Sequence, residues 1–167
     1  AQPGPQTLRA VSGLGRAAAP PWPAPLDAPA RAKRAGLPLG AMGMAEHYHA
    51  QLTVTVDGQP VPVPANIGVD PTTGAMSYLH THTPDGVVHV EAGTVGQRFT
   101  LGQLFTLWDV RLTATQLGSL RADDTDTLRL FVNGTQHPGN PARVRLRPDQ
   151  QLVLSFGPAD APAPPPG

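Results

Sequence analysis

The sequence contains no cysteine. That excludes a disulfide framework, a thiolate metal site and a cysteine nucleophile, so any metal held by the chain binds through His, Asp, Glu or Met. Aromatic residues make up 5% and charged residues 14% of the 167 positions, and the formal net charge is zero. Such a chain lacks the basic, aromatic-interleaved surface of a nucleic-acid binder. No run approaches the roughly 18 consecutive apolar residues of a membrane-spanning helix. Neither a Gly-x-Ser-x-Gly elbow nor a glycine loop for phosphates or dinucleotides occurs, which leaves hydrolase, kinase and dehydrogenase readings without a motif.

Proline and glycine, by contrast, are plentiful, at 21 and 18. Eight of the prolines and twelve alanines fall in residues 1–45, and five more prolines lie between Gly157 and the end. This distribution predicts three parts: an extended Pro/Ala/Gly-rich arm (1–45), a domain able to bury a core (46–156) and a Pro-rich tail (157–167). Arg9, Arg16, Arg31, Lys33 and Arg34 against Asp27 make the arm weakly basic, and an attachment role toward a larger cell-envelope assembly is expected of it. The Ala1-Gln2 start before a Pro/Ala-rich stretch looks like the product of signal-peptide cleavage. With one lysine against eleven arginines, it points to an exported bacterial protein of the periplasm, cell envelope or cell surface.

From Glu46 the pattern becomes that of strands. Residues 47–56 alternate polar and apolar with period two, the mark of a strand with one buried face. Asp57-Gly58 signals a turn, and Val61-Pro-Val-Pro fits only an edge or an extended connection. A second strand, 75–83, is expected to form a hairpin with 87–92 around Pro84-Asp85-Gly86. Thr100-Leu-Gly-Gln103 has the form of a capping box, and Leu101, Leu104, Phe105 and Trp108 follow at helical spacing. Further strands are expected near 109–113, 128–132, 142–147 and 152–156. The predicted fold is all-β: a small antiparallel β-sandwich or Greek-key barrel with one short helix.

Five of the six histidines form period-two units with their neighbours: His47-Tyr-His49, His80-Thr-His82 and His89-Val-Glu91. Alternation places both members of each unit on one strand face. With Asp85-Gly86 as a two-residue loop, His82 would face His89 and His80 would face Glu91, close enough for imidazoles to converge on one ion. His47, His49, His80, His82 and His89 are therefore the candidate metal ligands. Glu91 is expected to accept the remaining ring N–H of a ligand histidine and fix its tautomer; direct ligation ranks below that. An imidazole set suits Cu(II) or Zn(II) and disfavours calcium and magnesium. In an exported, cysteine-free chain it tilts toward copper, with zinc as the alternative. Met42 and Met44 offer thioethers beside the first fork. Asp123-Asp124-Thr-Asp126 lacks the glycine and terminal glutamate of a calcium loop and reads as a solvated turn, and His137 reads as a loop residue.

A His-x-His fork on an early strand, followed by further histidines in a small exported β-domain, resembles the copper-only superoxide dismutases of cell envelopes. The resemblance covers residues 46–93. It implies a mononuclear copper held by histidines and alternating between Cu(II) and Cu(I), converting superoxide to oxygen and peroxide. Because superoxide is an anion, a cation near the ion raises its encounter rate, and Arg98 and Arg111 are the candidates for that role. A metal-binding module without catalysis, acting as store or chaperone, and a structural accessory subunit of an envelope complex are the alternatives.

Overall fold

A computed structural model describes residues 12–40 and 44–165. In chain order its elements are α1 (Ala28–Arg34), β1 (Glu46–Val56), β2 (Gln59–Val61), β3 (Leu79–His80), β4 (Val87–Ala92), α2 (Leu101–Trp108), β5 (Gln116–Leu117), β6 (Leu120–Arg121), β7 (Asp126–Val132), β8 (Thr135–His137) and β9 (Gln150–Pro158). The all-β class expected from the sequence holds broadly, with seven strands in one sheet and a separate β5–β6 ribbon.

The sheet is not purely antiparallel, however. Along the order β3-β4-β1-β9-β7-β8, β1 and β9 run parallel, and β2 pairs with the far end of β1. A parallel pair needs a long crossover, and nearly the whole domain lies between these two strands. Val61 ends the edge strand β2, and Pro62-Val63-Pro64 continues outside any strand, as proline requires.

Register sorts the side chains into two faces. Leu52 lies opposite Leu152, Val54 opposite Leu154, and Leu154 opposite Leu130. These residues join Val88, Val90 and Ala92 in a single core with Leu101, Leu104, Phe105 and Trp108 of α2. The odd-numbered residues of β1 and β4 stand on the opposite face, and His47, His49, His89 and Glu91 are among them.

Helix α2 forms where the capping box predicts. Thr100 Oγ1 accepts from the Gln103 backbone N–H at 3.2 Å, and Gln103 Oε1 accepts from the Thr100 N–H at 3.0 Å. All eight of its residues are buried, because a layer absent from the sequence expectation covers its outer side. Residues 12–40 are not a free extended arm: they pack back on the domain. Trp22 is buried edge-on against Trp108, with ring centroids 5.6 Å apart, and the Trp108 indole N–H donates to the Trp22 carbonyl at 2.9 Å. The chain then enters α1, whose Ala28 and Ala32 are buried, and Gln103 reaches Ala35 O at 3.0 Å. Asp109, ending α2 in the left-handed region (φ 62°), receives Arg31 at 2.9 Å and Arg16 at 2.6 Å.

Two expected strands fall away. Pro141–Arg143 is a 3-10 turn, capped by Asn140 Oδ1 accepting from the Ala142 N–H, since proline suits a first helical position and cannot donate to a ladder. Residues 109–113 contribute only the isolated bridges Arg16–Val110 and Leu112–Leu117. His137 sits on β8, exposed. Among the described residues no helix is long and apolar enough to cross a membrane.

Candidate metal centre

The histidines meet on the outer face at one corner of the sheet. β1 and β4 pair His49 with His89 and His47 with Glu91, while β3 and β4 pair His80 with His89. Three imidazoles thus form a row across three adjacent strands, and His82 follows in the loop after β3.

This differs from the expected hairpin by a two-residue shift in register: His80 faces His89, not Glu91. Gly86 explains the shift. Its φ is 81°, and a Cβ there would lie 2.1 Å from the Leu52 carbonyl oxygen. Its own carbonyl accepts from the Leu52 N–H at 2.8 Å. Gly86 is therefore used for close approach to β1, and the turn expands: Asp85 Oδ1 takes the Thr83 hydroxyl at 2.7 Å and the Val87 N–H at 3.1 Å. The shift keeps all five histidines on one side because it is even-numbered.

Two groups have ligand atoms mutually within 4.8 Å: His47, His49 and His89, and His80, His82 and His89. The ring centroids of His49 and His82 each lie 4.6 Å from that of His89, and His80 stacks parallel to His89 at 5.4 Å. The residues differ in exposure. His80 is 1% exposed, whereas the His47 side chain is 55% exposed. The segment around Ile67 closes the outer edge of β3, with Gly68 O accepting from the Ser77 N–H and Ile67 O from the Thr81 N–H.

His80 carries the most specific chemistry. Its Nδ1 lies 2.8 Å from the Ser77 carbonyl oxygen, which can only accept, so Nδ1 bears the proton and Nε2 presents a bare lone pair. That Nε2 is buried and has no hydrogen-bond partner, and neither has Glu91 Oε2, 3.4 Å away. Two buried acceptors facing each other are unfavourable unless a cation lies between them. Burial, the largest influence, holds His80 below its usual pKa, with the imidazoles of His82 and His47 adding to it, while the Ser77 hydrogen bond and Glu91 oppose. His89 is pushed down to about 4, first by burial and then by its neighbours His82, His49, His80 and His47. Both rings are neutral near pH 7, the form that binds metal.

The orienting acceptor behind a ligand ring, expected to be Glu91, is for His80 the carbonyl of Ser77. No side-chain pattern announces a carbonyl, and the register shift concealed it. Glu91 instead faces ring nitrogens of both forks, Oε1 lying 3.8 Å from His47 Nε2 and Oε2 3.4 Å from His80 Nε2. A bound cation fits this donor set: imidazole nitrogens in excess, one carboxylate and no thiolate.

Arg98 lies exposed in the segment after β4, and Arg111 donates through Nε to the Gly15 carbonyl at 3.1 Å, tying residues 12–16 to the domain. Among the described residues neither hydrogen-bonds nor ion-pairs with the histidine cluster. Met44 is 91% exposed, and Met42 lies outside the described residues. Asp123 forms the expected solvated turn, accepting from the N–H groups of Thr125 and Asp126.

No family model, curated protein or solved structure matches the chain.

Proposed function

We propose that this protein is a copper-binding module whose site is the outer-face histidine cluster. The observation that carries the reading is His80: a buried imidazole, locked by Ser77 in the tautomer that leaves Nε2 a bare lone pair 3.4 Å from Glu91 Oε2, in one group with His82 and His89. Copper is favoured because the donors are imidazoles and divalent affinity peaks at Cu(II); zinc is the alternative. Acidic groups border the site: Glu91 within it, Asp85 near His89, and Glu46 and Asp149 beside His47 and His49. That rim attracts cations.

Superoxide dismutation is the second reading, favoured by the exposure of His47, His49 and His82, which leaves the cluster open to a small molecule. The arginines proposed to steer superoxide, Arg98 and Arg111, and the sandwich-like fold of the resembling family go with it. A store or chaperone role asks for no steering cation, and the acidic rim supports it over catalysis. Export and attachment to a larger envelope assembly belong to the same proposal and rest on composition. The test is metal analysis and EPR of the purified chain after copper loading, followed by superoxide scavenging. Scavenging that disappears in a His80→Ala, His82→Ala protein supports the redox reading; copper bound without scavenging supports the module.

A further inference from the structure

The two forks do not share one focus. β1 supplies His47 and His49, β3 and its following loop supply His80 and His82, and β4 runs between them carrying His89 and Glu91 on the same face. The ligand atoms fall into two groups of three, and the only member common to both is His89. Glu91 straddles the same line: Oε1 lies 3.8 Å from His47 Nε2 and Oε2 lies 3.4 Å from His80 Nε2.

We infer that the cluster holds two divalent transition-metal ions side by side across β4, bridged by His89. This rests on the metal-binding reading above and extends it. One ion takes His47, His49 and one nitrogen of His89; the other takes His80, His82 and the second nitrogen of His89. Each ion then has three protein donors, the number zinc keeps when its fourth position is open and one that copper accepts. Of the two unpartnered buried atoms, His80 Nε2 gains a cation in this arrangement and Glu91 Oε2 gains its positive charge nearby. When His89 binds through both nitrogens, its ring N–H proton passes to solvent and the imidazolate charge is shared between the ions. A single-ion site would use one fork and leave the other as an unexplained group of clustered imidazoles.

The experiment titrates the metal-free full chain with Cu(II), counts retained ions by native mass spectrometry and follows integrated EPR intensity. The expected result is two ions per chain, with intensity rising over the first equivalent and falling over the second as the two spins pair through His89. A His47→Ala, His49→Ala protein retains one ion with its full EPR intensity, and so does His80→Ala, His82→Ala. Because His80 is buried, His82→Ala, at an exposed position, serves as a second variant of that fork. His89→Ala abolishes the spin pairing. One ion in the wild type, lost from both double variants, would overturn the two-ion arrangement while leaving the metal-binding reading intact. Two ions with additive, unpaired signals would overturn the bridge. No retained ion would overturn both.

Discussion

His80 Nε2 and Glu91 Oε2 lie 3.4 Å apart, both buried and neither hydrogen-bonded. Because Ser77 holds the His80 proton on Nδ1, the pair consists of two acceptors, a costly arrangement within the metal-free domain. Glu91→Gln replaces one acceptor with an amide that can donate to His80. The metal-free variant is expected to be more stable than the parent by about 1 kcal/mol, the net worth of one hydrogen bond. Its copper affinity is expected to fall by roughly 10–100-fold, by analogy with groups that support metal ligands. Thermal unfolding and competitive copper titration of the two proteins check both effects. A Glu91→Gln protein that is less stable and binds copper equally well would show that the pair has no part in a cation site.

The second prediction concerns pH. His89 titrates near 4 in the folded domain and His80 is also depressed, whereas an unfolded histidine titrates near 6.5. Between those values the unfolded chain binds more protons, so stability is complete above about pH 6.5 and declines as pH falls toward 4. The groups facing His89 are His47, His49, His80, His82 and Asp85; Asp85 opposes the decline at His89, and Glu91 and the Ser77 carbonyl oppose it at His80. Denaturant midpoints of the metal-free protein should fall from pH 7 to pH 4.5, and the fall should be smaller in His89→Gln. An equal slope in that variant would assign the effect to other groups.

The third concerns residues 12–40. Trp22→Ala removes a buried indole from its contact with Trp108, and a cost of about 3–5 kcal/mol is expected. Removal of residues 1–40 should destabilise the domain further, since it also exposes the outer side of α2. Chemical unfolding measures both. A truncated domain as stable as the whole would mean that this layer contributes nothing to the fold.

The fourth tests Gly86. Alanine there meets the Leu52 carbonyl oxygen at 2.1 Å in a backbone conformation that L-residues rarely adopt. Gly86→Ala should weaken folding by more than about 2 kcal/mol and lower metal affinity, because it disturbs the junction that aligns His89 with His49. Gly74→Ala, where a Cβ would meet nothing within 4 Å at a similar φ of 75°, is the control and should leave metal affinity unchanged. Unfolding and copper titration of both variants decide the matter.

Much of the centre was legible in the sequence, because period-two spacing alone puts both members of each fork on one face. Glu46–Val56 and Val87–Ala92 alternate as strands, and Thr100 with Gln103 announces α2. What alternation cannot reveal is which residue lies opposite which. Asp85-Gly86 looked like a two-residue turn, but the demand was set by Leu52, 34 residues upstream of Gly86. Helix α1 carried a local signal that its Pro/Ala-rich surroundings masked: Asp27 before the helix, Pro29 in its first turn, alanines within and Gly36 beyond its end. Its burial depended on a distant partner, helix α2 and its C-terminal Asp109, which composition does not show. The parallel placement of β9 beside β1 joins the two ends of the domain and leaves no trace in any short window.

The most direct test of the central claim is copper EPR of the metal-free chain loaded with one equivalent of Cu(II) and desalted. The account predicts that copper is retained, that its spectrum shows splitting from several imidazole nitrogens, and that the splitting falls to that of fewer nitrogens when His80 and His89 are replaced together. Copper lost on desalting from the wild type, or an identical spectrum from the doubly substituted chain, would contradict it.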